Sequence, residues 1–348
     1  MTQTHKIGID LGKSSIKYVT GEIQGDIPSW LARGRIAQVV GNGNGTGNIR
    51  YKGQDYVVGK DAVLGHGFSW SATEDKDEQR NLLFCLTVLG NLGIARATVV
   101  IGLPVSQAAN PAIVNRVKNM LSGRHEIVTC GRESVIETSV SVLSEPLGTY
   151  FSLVLSPDGR MINSSPYMGE LVGIVDIGYR TLDVVALDGG RLATTQDSTL
   201  SGVAVLYDQV AKLIEADHGK LRPNEVAKLN IWLIGGCQDQ LTIAGRHVRQ
   251  DLPAAVARYK TELAGRIMDE VSSLLSAVRP DKLVVTGGGA RLLGPDILRI
   301  NPQLAIHPQA RMANAIGFYR AAKAMGDPIV TGGANAENRN RIAPAQSR

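Results

Sequence analysis

The strongest constraint in this 348-residue sequence is a motif that occurs twice. The stretches "IGIDLGKSSIKYV" at residues 7–19 and "VGIVDIGYRTLDVV" at 172–185 have the same order: an apolar strand, Asp-x-Gly, a short polar turn and a second apolar strand. Their aspartates, Asp10 and Asp176, are 166 residues apart. Generic hairpins do not require this shared order, so the repeat predicts two lobes of related topology that face each other.

The polar turns have two interpretations, ordinary hairpin solvation or the binding of a polyphosphate. Asp-x-Gly at a strand end allows a tight turn whose successive N–H groups point at an anion, and small hydroxyl residues add further donors. Carboxylates repel phosphates, so we expect Asp10 and Asp176 to hold Mg²⁺, mostly through its waters. The predicted phosphate contacts are Gly12, Ser14, Ser15, Gly178 and Thr181.

A third stretch, "VVTGGGARLL" at residues 284–293, is a buried strand that runs into three glycines and then a helix. Gly287, Gly288 and Gly289 have no side chains, so a flat ring or a ribose can approach the backbone closely. Each of the three stretches alone is weak evidence. Together, and in this order, they favour an ATP site over solvated hairpins.

Composition excludes several classes of protein. Hydrophobic residues make up 43% and charged residues 20% of the chain, as in soluble globular proteins. The net charge is +5, and the sequence has no run of five Lys or Arg. It therefore lacks the concentrated basic segment that is typical of nucleic-acid-binding proteins. Cys85, Cys130 and Cys237 lack CxxC spacing, which predicts reduced thiols. The polar N-terminus and the lack of a long apolar stretch predict a cytoplasmic protein.

Periodicity predicts an α/β fold. Strands are expected at 33–40, 97–104, 125–130, 133–145 and 228–236, with hairpins at 6–23 and 48–63 and a flexible loop at 41–48. Helices are expected at 77–93, 110–123, 145–155, 202–217, 252–278 and 312–325.

The two Asp-x-Gly stretches and the triple-glycine stretch resemble the phosphate 1, phosphate 2 and adenosine motifs of the actin, sugar kinase and heat-shock chaperone ATPase superfamily. The stretches "YKGQDYVVGKDA", "VVIGLPVS", "VIETSVSVLSEPLGTY" and "MANAIGFYRAAK" resemble the ParM-like prokaryotic actins, which include plasmid-segregation and archaeal relatives. The resemblance covers roughly residues 5–325.

This resemblance implies an actin-like two-lobed fold. Each lobe has a duplicated RNase H-like mixed β-sheet flanked by helices, and the nucleotide lies in the cleft between the lobes. The implied boundaries are residues 1–165 for lobe I, with helix 312–325 packing back on it, 166–311 for lobe II, and 326–348 for a disordered polar tail.

The resemblance also implies roles for individual residues of the two turns and for Glu145. Asp10 and Asp176 organise Mg²⁺ and the attacking water, and Lys17 reaches the phosphates. Glu145, in "SEPLGTY", positions or activates that water, which makes Glu145 and Asp176 the implied catalytic pair; a plain helix N-terminal carboxylate before Pro146 is the alternative for Glu145.

The remaining predicted nucleotide contacts are Lys13, Tyr179, Arg180, Gly202 and Ala290. Tyr179 and Arg180 replace the small residues usual in the family, and Arg180 fits a phosphate contact or a surface position equally. Lys13 either adds a phosphate contact or faces solvent. Lys212 and Glu215 edge the adenine or are solvated helix charges.

The implied function is an actin-like ATPase that binds Mg-ATP, with GTP as a second nucleotide, and polymerises into dynamic filaments for plasmid segregation. Its partners are further copies of itself and a DNA-binding adaptor, without direct contact to membrane or DNA. A chromosomal or archaeal cytoskeletal role is the alternative. A small-molecule kinase of the superfamily needs a substrate pocket with a catalytic Asp, and a chaperone needs a large C-terminal domain; neither pattern is found in the sequence.

Overall fold

The computed structural model describes residues 3–34, 47–59, 61–62, 69–70, 78–129, 131–193 and 202–326. The strand predicted at 33–40 lies outside these ranges beyond Gly34, and the loop predicted at 41–48 lies outside them up to Thr46. Cys130 and the tail from Asp327 onward also lie outside them. Cys85 and Cys237 are free cysteines in the part of the chain that the structure describes.

A ten-stranded sheet contains the first of the two repeats. Its strands are β1 (His5–Leu11), β2 (Ser15–Thr20), β3 (Ile23–Pro28), β4 (Leu31–Arg33), β5 (Asn48–Tyr51), β6 (Gln54–Val58), β7 (Ser69–Trp70), β8 (Arg96–Leu103), β9 (Gly123–Thr129) and β10 (Arg132–Ser144). Their order in the sheet is β3-β2-β1-β8-β10-β9-β5-β6-β4-β7. Strand β1 pairs antiparallel with β2 and parallel with β8.

Four described helices accompany this sheet: α1 (Glu78–Asn91), α2 (Val105–Ala108), α3 (Pro111–Leu121) and α4 (Glu145–Val154). Helix α1 is buried along almost its whole length, and it packs into the same apolar core as β1 and β8. Helix α3 begins as its sequence predicts, because Asn110 accepts a 3.0 Å hydrogen bond from the backbone N–H of Ala112 and Pro111 occupies the first turn.

A five-stranded sheet contains the second repeat. Its strands are β11 (Leu171–Ile177), β12 (Leu182–Asp188), β13 (Arg191–Leu192), β16 (Lys282–Thr286) and β17 (Ala305–Ile306). Their order in the sheet is β13-β12-β11-β16-β17. Strand β11 pairs antiparallel with β12 and parallel with β16, the same arrangement as β1 between β2 and β8. The predicted repeat of topology is therefore confirmed. A short separate hairpin joins β14 (Thr242–Ile243) and β15 (Arg246–His247).

The helices of the second half are α5 (Ala204–His218), α6 (Pro223–Ile234), α7 (Leu252–Leu275), α8 (Gly288–Ile300) and α9 (Ala313–Ala324), with a 3₁₀ turn at Ala310–Met312. The strand predicted at 228–236 is wrong, since most of this segment lies in α6. The buried residues Leu229, Trp232 and Leu233 have helical spacing, and Glu225 caps the helix by accepting a 2.8 Å hydrogen bond from the backbone N–H of Arg222.

Helix α9, although last in the chain, packs against β1 and α4 of the first half. Two glycines allow this close approach. A Cβ added at Gly8 would lie 2.2 Å from the backbone N of Tyr319, and one at Gly317 would overlap the backbone carbonyl of Gly148. Backbone therefore meets backbone where α9 crosses α4 and β1. None of the helices in the described ranges is long and apolar enough to cross a membrane.

Candidate functional site

One cleft collects the two Asp-x-Gly turns and the glycine-rich strand end. The predicted residues that line it are Asp10, Gly12, Lys13, Ser14, Ser15, Lys17, Glu145, Asp176, Gly178, Tyr179, Arg180, Thr181, Gly287 and Gly288. Residues from four separate parts of the sequence thus share one cavity.

Three predicted contact residues do not line the cleft. A Cβ at Gly202 would lie 2.1 Å from the carbonyl oxygen of Gly178, so Gly202 supports the second turn from behind. A Cβ at Gly289 would lie 2.4 Å from Cγ2 of Ile177, and Ala290 is 1% exposed. These residues shape the walls of the cleft. Lys212 is exposed on α5, and Glu215 accepts a 3.0 Å hydrogen bond from the backbone N–H of Leu221.

The first turn is held by a buried ion pair. Nζ of Lys17 lies 3.0 Å from Oδ2 of Asp10, its partner in the β1–β2 register. A Cβ at Gly12 would lie 2.8 Å from that Nζ and 2.7 Å from the carbonyl oxygen of Ser15. Glycine is therefore needed at position 12, because any side chain would fill the space in front of the lysine.

The second turn is fixed to the start of α5. The backbone N–H of Gly178 donates a 2.9 Å hydrogen bond to the carbonyl of Thr181, and the N–H of Ala204 donates a 2.7 Å bond to the carbonyl of Tyr179. The Tyr179 ring packs edge-on against Tyr207, with centroids 5.5 Å apart. This packing explains how the fold accepts a large side chain where the family has a small one.

Arg180 keeps unused hydrogen-bonding capacity in this cleft. Its Nε atom is buried and has no hydrogen-bond partner among the residues that the structure describes. A buried N–H without a partner costs free energy, and an anionic ligand in the cleft would satisfy it. This observation favours the phosphate-contact interpretation of Arg180 over a surface position.

Asp176 is the most perturbed acid of the cleft. Burial, followed by the nearby charges of Asp10 and Glu145, raises the pKa of Asp176 to about 6. Asn314 and Lys17 act in the opposite direction, because each stabilises the ionised carboxylate. A buried carboxyl whose pKa is raised by two neighbouring acids is a surrounding in which a cation would bind favourably.

The cleft fits a magnesium nucleotide. A Cβ added at Gly288 meets no atom within 4 Å, so this wall is open to a flat group. Among the described residues no group of three or more His, Cys, Asp and Glu could hold a metal by itself. Mg²⁺ commonly binds one or two carboxylates and takes its other ligands from phosphate and water, and Asp10 and Asp176 provide that number.

Two family models match the sequence. Residues 8–148 match the N-terminal domain of actin-like proteins, and residues 174–298 match the C-terminal domain of the archaeal actin homologue that is MreB-like. Together the two models span most of the chain.

The chain is an actin-like protein.

Solved structures agree with this fold. A ParM filament of 15 strands from Clostridium botulinum has a TM-score of 0.73 at 20% identity, covering 93% of this chain and 99% of that one. The archaeal actin homologue Ta0583 in complex with ADP has a TM-score of 0.69 at 18% identity, covering 93% and 99%. Alp7A has a TM-score of 0.70 at 13% identity, covering 93% and 97%. None of the curated proteins matches the sequence.

Five cleft residues of this actin-like protein were not predicted: Pro104, Asp183, Ala310, Arg311 and Asn314. Asp183 follows Asp176 by seven positions, as Lys17 follows Asp10, so aligning the two repeats would have found it. Arg311 forms an ion pair with Asp26 on β3, and it lies 3.4 Å from Oγ of Ser15. Local sequence gives no signal for this contact, because the residues are almost 300 positions apart.

Proposed function

We propose that this actin-like protein binds Mg-ATP in the cleft, with GTP as a second candidate, and hydrolyses it to ADP and phosphate. The observation that carries the proposal is the meeting of both Asp-x-Gly turns, Lys17 and the open glycine wall in one cavity. The ADP complex of Ta0583, a protein of similar fold, supports the choice of an adenine nucleotide.

Each part of the cleft has a role in this proposal. Backbone N–H groups of the two turns, with Ser14, Thr181 and Lys17, bind the phosphates. Asp10 and Asp176 hold Mg²⁺ chiefly through water, and the metal supplies neutralisation of phosphate charge when bound. Gly287 and Gly288 accommodate the nucleoside, since neither presents a side chain to the cleft.

Glu145 provides the acid–base group. It is the first residue of α4, and it lines the cleft near enough to Asp176 for its charge to act on that carboxyl. Its carboxylate accepts a hydrogen bond from the water that attacks the terminal phosphorus, and it takes the proton that this water loses. An acidic side chain is also a common residue in the first turn of a helix, so the structural alternative and the catalytic role are compatible in one residue.

Nucleotide binding is proposed to drive assembly into filaments. A head-to-tail contact whose rotation does not close generates an open polymer. The ParM filament from Clostridium botulinum supports assembly of this kind, because it is a filament of a protein with a similar fold. We place these filaments in the cytoplasm, where a DNA-binding adaptor links them to a plasmid. A chromosomal or archaeal cytoskeletal role is the alternative, favoured by the archaeal family model of the C-terminal half.

Light scattering with electron microscopy tests the proposal. The purified protein is mixed with Mg²⁺ and ATP, ADP or no nucleotide, and phosphate release is followed in parallel. We expect filaments with ATP, and longer-lived filaments with slower phosphate release for Glu145→Ala. Glu133→Ala, which removes an exposed carboxylate on β10, is the matched control. Absence of polymer with every nucleotide would contradict the filament, and ATP turnover that depends on added sugar would indicate a kinase.

A further inference from the structure

Asn314 lies at the start of α9 and contacts two elements that carry proposed catalytic residues. It is 7% exposed. Its Nδ2 donates a 2.8 Å hydrogen bond to Oδ2 of Asp176 at the end of β11. Its Oδ1 accepts a 3.0 Å bond from the backbone N–H of Thr149 and a 2.8 Å bond from the Thr149 hydroxyl, both on α4.

The chemistry of these partners fixes the orientation of the amide. The backbone N–H of Thr149 can only donate, so it must face the oxygen of Asn314. The amide nitrogen therefore points at Asp176. The asparagine amide has an acceptor atom, Oδ1, and a donor atom, Nδ2, in one plane. A carboxylate has only acceptor atoms, and an alkyl group has neither. Asparagine is thus suited to join these two partners.

The position of Thr149 extends the contact to Glu145. The two residues are four apart on α4, and residues with this spacing lie on the same face of a helix. One chain of hydrogen bonds therefore runs from the helix that carries Glu145, through Thr149 and Asn314, to the carboxylate of Asp176. Thr149, Asn314 and Asp176 are buried. The chain reaches the cleft at Glu145, Asp176 and Asn314, which line it.

The same contact restricts the rotation of the Asp176 carboxylate. Oδ2 is bound by Asn314, and Oδ1 then lies beside Gly287, where an added Cβ would be 2.2 Å away. Each oxygen thus has a fixed neighbour on a different element, α9 for one and the start of α8 for the other.

We propose that Asn314 is a positioning residue, which sets the orientation of the Asp176 carboxylate and its placement relative to Glu145. The inference rests on the proposed function, because it concerns the hydrolysis step of that cleft. Asn314 does not touch the nucleotide in this proposal. It acts through Asp176, so its loss should slow hydrolysis more than it weakens binding.

Three variants distinguish a positioning role of Asn314 from a role in packing alone. Asn314→Asp keeps the volume and both bonds from Thr149, but it presents a carboxylate to Asp176. Asn314→Ala leaves a cavity, and Thr149→Val removes only the hydroxyl donor. The matched control is Asn119→Ala on the exposed face of α3. Single-turnover hydrolysis of ATP and the equilibrium affinity for a non-hydrolysable ATP analogue are measured for each.

We expect Asn314→Asp and Asn314→Ala to slow hydrolysis by about 10- to 100-fold, as found for residues that orient metal-side ligands. Affinity for the analogue should change by less than about threefold, because the lost interaction acts on the transition state. A packing role predicts that Asn314→Ala is the slower of the two, since only Ala leaves a void. Positioning predicts that Asn314→Asp is at least as slow.

A second readout needs no nucleotide. The urea midpoint of unfolding is measured for Asn314→Ala, Thr149→Val and the double variant. Both substitutions break the same hydroxyl–amide bond, so the shift of the midpoint in the double variant should be smaller than the sum of the two single shifts. Additive shifts would overturn the shared chain. If Asn314→Ala does not fold, Asn314→Leu takes its place in the comparison, because it also removes the hydroxyl–amide bond and leaves a smaller void.

The failure of this inference differs from the failure of the proposed function. A wild-type protein that hydrolyses ATP, with Asn314→Asp as fast as Asn119→Ala, would overturn the positioning role alone. A wild-type protein that neither binds nor hydrolyses any nucleotide would overturn the proposed function and the positioning role with it.

Discussion

Lys17 and Asp10 are neighbours across the β1–β2 hairpin, with Nζ and Oδ2 3.0 Å apart and side chains only 11% and 10% exposed. The corresponding register pair of the second repeat is Asp183 and Asp176. A lysine in one half is thus replaced by a carboxylate in the other. The two turns share backbone geometry but differ in charge, and only the first carries a cation at this position.

Removal of Lys17 should destabilise the nucleotide-free protein. Lys17→Ala leaves the Asp10 carboxylate buried without its partner, a change that typically costs about 3–5 kcal/mol of the free energy of unfolding. The double variant Lys17→Ala/Asp10→Asn removes the unpaired charge and should recover part of this loss. Urea unfolding measures both, and a Lys17→Ala protein within about 0.5 kcal/mol of wild type would contradict the buried pair.

Asp176 should make stability depend on pH. Its folded-state pKa is about 6, above the ordinary value of 3.8, so the stability that its protonated form contributes in acid is lost as the pH rises through 6. Asp176→Asn cannot ionise. Relative to wild type it should therefore gain on the order of 1 kcal/mol in the free energy of unfolding between pH 5 and pH 8.

Urea unfolding of nucleotide-free wild type and Asp176→Asn at both pH values measures this gain. Acids that do not interact with Asp176 cancel in the comparison, because both proteins contain them. A stability difference that is the same at pH 5 and at pH 8 would show that the Asp176 carboxyl has no raised pKa.

Alanine at two adjacent glycines should affect two different properties, stability at Gly287 and ATP affinity at Gly288. Gly287 has φ +87°, and an added Cβ would overlap Oδ1 of Asp176. The free energy of unfolding of Gly287→Ala should therefore be lower than that of the wild type by about 1–3 kcal/mol. At Gly288 an added Cβ meets nothing within 4 Å. Gly288→Ala should fold normally and bind ATP more weakly, because its methyl group projects into the nucleoside wall.

Thermal unfolding and equilibrium ATP binding distinguish these two outcomes. Unchanged ATP affinity of Gly288→Ala would show that the nucleoside does not lie against this wall.

Sequence alone predicted the parts of the site that are local. The two turns and the glycine strand end each occupy a few consecutive residues, and their resemblance to the nucleotide motifs of the actin superfamily implied that they share one cleft. Helix α6 was predicted as a strand because a short apolar run has no clear period, and only the buried positions of Leu229 and Leu233 show its helical face.

The contacts that were missed are long-range. Asn314 is 138 positions from Asp176 and 165 from Thr149, so no local pattern marks it as part of the site. Its segment was predicted as an amphipathic helix, which is correct, but periodicity does not say which polar residue of a buried helix faces a carboxylate.

Equilibrium binding of ATP with Mg²⁺ tests the central claim, that this cleft is a nucleotide site, most directly. Wild type, Lys17→Ala and Lys13→Ala are compared at a temperature at which circular dichroism shows all three to be folded. We expect one ATP per chain, with an affinity reduced by at least about tenfold in Lys17→Ala, the typical loss for a charge-assisted hydrogen bond. Lys13→Ala should lose less. No binding by the wild type, or an unchanged affinity in Lys17→Ala, would contradict the account.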